Sequence, residues 1–208
     1  MLSDDFLMRR LRIAVAALAR FLGLETNESP SLQLDILAEG LEGLTGLPID
    51  LLDGLDDDAI LSMTRFEDEV DTDMLSMLAQ LHAHRGNVYE AMGNVSMSVP
   101  NHLRALTFAL ESELNEGSLT HPLPEDLVDD LLDALDDVDL SPEMLYALFQ
   151  YDEQMGNYAG ALDALEELDA HLAFREAVEA ERIAFLTRLR ELRDEELAAG
   201  GVTREELV

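Results

Sequence analysis

The amino-acid sequence predicts an all-α fold: stacked antiparallel helical hairpins of the α-solenoid kind, preceded by an N-terminal helical unit. Three observations carry this. The 208 residues are 48% hydrophobic, yet only 5% are aromatic and Trp is absent, so Leu and Ala supply the core. Such a core suits helices better than strands. Apolar residues recur at helical spacing along most of the chain. Finally, a short turn occurs twice, as Arg85-Gly86-Asn87-Val88-Tyr89-Glu90-Ala91 and as Met155-Gly156-Asn157-Tyr158-Ala159-Gly160-Ala161. In each copy Gly is expected to take the left-handed conformation that ends one helix, and the Ala five residues on lets the next helix lie close.

Residues 4–22 form the first expected helix, with Phe6, Leu7, Leu11, Ala14, Leu18, Phe21 and Leu22 at helical spacing and Gly23 as its stop. Residues 25–31 read as a polar linker containing Pro30. Leu34, Leu37, Leu41 and Leu44 stripe a helix over 32–44, closed by Gly46 and Pro48. Pro48 opens a further helix, which Asp56-Asp57-Asp58 breaks, capping a short helix over 59–64. The least regular stretch is 65–71. It is the expected boundary between an N-terminal unit (1–64) and a repeat array with a capping helix (72–198), unless the two run on as one domain. Within the array, helices over 73–85 and 88–98 flank the first Gly-Asn turn. Pro100 separates these from 101–115, and a loop over 117–124 leads to a helix over 125–137. Ser141-Pro142-Glu143 signals a helix start, with Ser as cap and Pro at the first position. Helices over 142–155 and 158–172 flank the second turn. A long helix over 175–198 is stopped by Gly200-Gly201, and the tail beyond is expected to fray.

Two echoes support a repeat. Leu47-Pro48-Ile49-Asp50-Leu51-Leu52-Asp53 parallels Leu123-Pro124-Glu125-Asp126-Leu127-Val128-Asp129, and Gly86 and Gly156 stand 70 residues apart. That is twice a period of about 34–35. Residues 142–173 resemble one tetratricopeptide repeat through Leu145, Leu148, Gly156, Tyr158, Ala161 and Leu165; Phe149 and Asp152 stand where that motif has a small residue and Tyr. Residues 72–103 resemble it more weakly through Leu75, Leu78, Ala79, Gly86 and Ala91, with the Tyr displaced to Tyr89. The whole chain is also similar to an uncharacterised bacterial family of tetratricopeptide-like proteins. The carriers are Asp5-Phe6-Leu7-Met8-Arg9, the segment Gly46 to Leu52, and the segment Leu148 to Tyr158. The resemblance implies a fold and no chemistry.

Composition closes off much of enzymology. There is no Cys, hence no thiol nucleophile, disulfide or zinc thiolate site. All thirteen basic residues are Arg, so there is no lysine for a P-loop, a Schiff base or a kinase-type ATP site. The net charge is −32, concentrated in residues 25–174, which hold 34 acids against Arg65, Arg85 and Arg104. Such a body repels nucleic acid and anionic lipid. A basic partner is the functional reading of the charge; a solvated, solubilising surface is the simpler one, and adaptation to high salt a third. The apolar run Ile13 to Ala19 is interrupted by Arg20, and no run approaches the roughly 18 apolar residues of a spanning helix. A soluble, cytoplasmic chain is expected.

No metal or cofactor is expected. The Asp cluster at 50–58 lacks the EF-hand spacing, and in Asp137-Val138-Asp139-Leu140-Ser141 the Gly position is Pro142. Acidic helix N-termini explain these clusters more simply. His82 and His84 lie two apart, on different helix faces, and His102, His121 and His171 are isolated. Met74, Met77, Met92 and Met97 suit core filling better than a helix-binding groove. The helix over 4–22 is apolar on more than one face, which predicts a homodimer through it; wrapping by residues 32–64 of the same chain is the alternative. In a hairpin array the first helices line a concave groove. The expected groove residues are Asp73, Ser76, Gln80 and His84, then Glu143, Tyr146, Gln150 and Glu153. The expected function is a non-enzymatic protein-interaction scaffold with a basic protein or peptide partner. The alternative is a sensor of a small molecule or signal peptide.

Overall fold

The computed structural model describes residues 2–24, 28–66, 69–115, 120–171 and 173–207. They are almost wholly helical and divide into two compact units, residues 1–137 and 138–208.

In the first unit, α1 (Leu2–Leu22) packs on α2 (Pro30–Thr45) and on α5 (Thr72–Ala91). Leu11, Ala14, Ala17 and Leu18 of α1 are buried there. Of this cover, α2 falls largely within the 32–64 stretch expected as the alternative to a second copy, whereas α5 lies outside it, and Met8, Ile13 and Leu22 of α1 stay exposed. Close approach depends on small residues: a Cβ on Gly43 would overlap the Ile13 side chain, and one on Gly40 would lie 3.0 Å from Ala17 Cβ. Ser29 caps α2, accepting from Leu32 N–H (3.3 Å), with Pro30 opening the helix and Gly46 closing it at φ +74°. Pro30 thus belongs to the helix rather than to a linker. Short helices α3 (Ile49–Leu52) and α4 (Asp57–Met63) follow, and Asp56 caps α4 by accepting from Ala59 N–H (2.7 Å). At the stretch expected to be irregular, β1 (Arg65–Phe66) pairs antiparallel with β2 (Glu69–Val70).

The first Gly-Asn turn is not a turn. Helix α5 runs unbroken through Gly86, and α6 (Val95–Leu114) runs through Pro100. The expected helices 73–85, 88–98 and 101–115 are therefore two helices, and the chain reverses at Met92-Gly93-Asn94, where Gly93 has φ +71°. Gly86 has a different role: a Cβ there would overlap the His102 ring, so it lets α6 close on α5. Proline in a helix costs about 3 kcal/mol. Here burial of Ala105, Leu106, Phe108, Ala109 and Leu110 against α5 offsets it. Helix α7 (Leu127–Ala134) packs on α6, shorter than the expected 125–137. Of the expected 117–124 loop, residues 117–119 lie outside the described residues, and 120–124 are non-helical.

In the second unit, α8 (Pro142–Met155) and α9 (Tyr158–Asp169) are joined at Gly156 (φ +76°), as the second turn predicts. Ser141 caps α8, accepting from Met144 N–H at 3.2 Å. Phe149, in the small-residue position of the repeat, meets Phe185 of α10 (Arg175–Arg190) edge to face at 5.3 Å. Buried Asp152 accepts from Asn157 Nδ2 (2.8 Å) and so fastens the turn. The expected long helix over 175–198 breaks at 191–193 into α10 and α11 (Asp194–Ala199). The carbonyls freed at the break are taken by Arg204, which donates to Arg190 O (3.1 Å) and Leu192 O (2.6 Å). The tail does not fray. Val202 and Leu207 are buried, and Ala159 N–H donates to Gly200 O at 2.9 Å.

Candidate functional site

The eight expected groove residues separate into two different situations. In α5, Ser76 is fully buried, and its hydroxyl donates to His121 O at 2.6 Å. Gln80 Nε2 donates to Ser76 Oγ (3.2 Å). Asp73 accepts from the backbone N–H of Thr120 (2.7 Å) and His121 (2.9 Å). The His84 ring meets Phe21 of α1 at 4.9 Å, tilted by 39°, and burial pushes its imidazole pKa down. Ser76 is thus buried, while Asp73 beside residues 120–121, Gln80, and His84 beside α1 are half-buried.

Helix α8 is different. Glu143, Tyr146 and Gln150 are exposed, while Glu153 accepts two hydrogen bonds from Arg188, at 2.6 and 2.8 Å. Glu143 and Tyr146 also form one wall of a pocket of about 340 Å³. Each of three helices contributes side chains one turn apart: Pro142, Glu143 and Tyr146 from α8, Leu165 and Leu168 from α9, and Ala177, Val178 and Glu181 from α10. Phe174, which precedes α10, completes the lining. The floor is apolar, since Leu165, Leu168 and Val178 are buried, and the rim carries two carboxylates. Glu181 accepts from Arg188 (3.0 Å), which also lies over the Phe185 ring at 5.7 Å. Hydrogen bonds that Arg188 donates to Glu153, and then to Glu181, outweigh its burial and hold its guanidinium pKa above the usual range. Tyr146 and Phe174 remain 41% and 42% exposed.

A second constellation lies inside the first unit. Arg85 donates to both carboxylate oxygens of Asp53 (2.5 and 2.7 Å) and lies over the Tyr89 ring at 5.6 Å. Burial pushes the Asp53 carboxyl up, but the Arg85 hydrogen bonds and charge outweigh it, leaving it below the usual carboxylate range. His82 is wholly buried; its Nδ1–H donates to Asn101 Oδ1 (3.0 Å), and Nε2 has no partner among the described residues. Burial holds its pKa down at about 3. Arg104 donates to Asp57 (2.8 Å) and to Leu55 O (2.6 Å). This cluster is structural: neutral His82 and salt-bridged Arg85 fix α5, α6 and the 53–57 stretch together. The expectation of solvated helix N-termini missed it, although Arg85 and Arg104 are two of only three arginines among 34 acids in residues 25–174. Among the described residues no group of His, Asp or Glu side chains could hold a metal ion, and no helix is long and apolar enough to cross a membrane. A scan against protein-family models, a search of curated proteins and a search of solved structures each find no match.

Proposed function

We propose that the chain is a non-enzymatic interaction scaffold of the tetratricopeptide-like helical-hairpin type, and that its partner is a protein with basic character. One observation carries the reading: the apolar pocket among α8, α9 and α10, with exposed Tyr146 and Phe174 at its mouth and Glu143 and Glu181 on its rim. Exposed aromatics beside an apolar pocket favour protein contacts, because they give large buried area for little lost side-chain freedom. The acidic rim, on a chain of charge −32, favours a cationic partner. A sensor of a small ligand is the second reading. It is favoured by the volume of about 340 Å³, within the roughly 300–1,000 Å³ of small-ligand sites. The test is capture from native lysate with the full chain and with Tyr146→Ala as bait. Basic proteins retained by the first and lost by the second support the scaffold; an identical set on both baits refutes it.

A further inference from the structure

We infer that the pocket among α8, α9 and α10 takes an aliphatic side chain of a partner segment that carries a lysine or arginine one helical turn away. This rests on the scaffold reading and names the chemistry of its partner.

The floor of Leu165, Leu168 and Val178 offers no polar group, so what enters it is hydrocarbon. The rim is polar and one-signed. Glu181 shares its charge with Arg188, whereas no arginine or histidine pairs with Glu143 among the described residues. Glu143 lies one turn from Tyr146 on the same face of α8, so a cation there meets a carboxylate and the face of an aromatic ring together. A partner carboxylate beside Glu143 would meet like charge with no cation to offset it among the described residues. The occupant is a protein segment rather than a free amphiphile because two lining aromatics, Tyr146 and Phe174, stay exposed. A ligand confined to the floor leaves Tyr146 and Phe174 wet at 41% and 42% exposure, while a segment continuing over the rim covers both.

The experiment is fluorescence anisotropy with the full chain and three labelled helical peptides of equal length, in about 0.15 M salt. One has Leu on its apolar face and Lys on its flanks; one replaces Lys by Glu; one keeps Lys and replaces Leu by Ser. The Leu/Lys peptide is expected to bind at least about tenfold more tightly than either control, a factor equal to about 1.4 kcal/mol. Glu143→Gln should weaken it about three- to tenfold, and Tyr146→Ala similarly. Both positions are exposed, so both variants should fold. Glu167→Gln, an exposed acid of α9 outside the pocket, should leave the affinity unchanged. Equal binding of the Ser/Lys peptide, or equal loss in Glu143→Gln and Glu167→Gln, overturns the inference as diffuse charge attraction. Binding of dodecylamine without any peptide also overturns it, in favour of a small-ligand pocket. If the peptides fail while Tyr146→Ala still loses its lysate partners, the scaffold reading stands and this inference alone falls.

Discussion

Arg85 is nearly enclosed, with 6% of its side chain exposed, while its partner Asp53 keeps 29%. Removing the carboxylate therefore leaves a buried cation, and Asp53→Ala should lose on the order of 3 kcal/mol in urea unfolding. A change within a few tenths of a kcal/mol would mean that the guanidinium finds water. Asp53's depressed pKa means that its stabilisation is present above the unfolded carboxylate range and is lost as pH falls through the folded value. His82 acts in an earlier window. Its pKa is lowered by burial to about 3, from 6.5, so the unfolded chain takes up a proton before the folded one does. Its contribution is complete above pH 6.5 and should shrink by about 1.4 kcal/mol per pH unit as pH falls below that. Burial lowers His84 and His102 too, with the same sign. Unfolding free energy should thus drop between pH 6.5 and 5, and His82→Gln should flatten the slope. An unaltered slope in that variant would assign the dependence elsewhere.

The helical elements show how far local signals reach. Met92-Gly93-Asn94 and Met155-Gly156-Asn157 join the α5–α6 and α8–α9 hairpins, and they share Met-Gly-Asn. The Gly86-Asn87 match competes with the first of these because it also has a small residue five positions on. What separates them is tertiary: His102, sixteen residues away, needs the space over Gly86. This yields a discriminating set of variants. Gly93 faces open space, so Gly93→Val suffers only backbone strain, about 1–2 kcal/mol. Gly86→Val should lose about 1–3 kcal/mol through overpacking. Combining each with His102→Ala should rescue Gly86→Val and leave Gly93→Val unchanged; equal rescue would contradict these assignments. At the other end, Gly200 packs so closely on Tyr158 that a Cβ would overlap the ring. Deleting residues 200–208 should speed hydrogen exchange at the Ala159 amide, which donates to Gly200 O. An unchanged rate would mean that the tail is not holding the turn.

On the scale of the molecule, 45 acids face thirteen arginines, so even complete pairing leaves 32 carboxylates without a cation. Raising salt from a few millimolar to about 0.15 M shortens the repulsion to roughly 8 Å, and the melting temperature should rise. A flat response would show that the acids are compensated locally. The all-helical class and the α8–α9 hairpin were legible because periodicity, a cap and a positive-φ glycine agree there. The pocket was half legible. Glu143 and Tyr146 follow from register along one helix, whereas Leu165, Phe174, Val178 and Glu181 join them only through the packing of three helices. Nor does any local pattern announce that residues 120–121 lie over Asp73 and Ser76, 45 or more positions earlier. The return of the tail onto the α8–α9 turn has a consequence for biosynthesis. A chain emerging from the ribosome can complete the first unit once residue 137 is free, yet the second must wait for Gly200, Val202 and Leu207. Until then Tyr158 stands partly uncovered, so the second unit is the stretch a nascent-chain chaperone would have to shield.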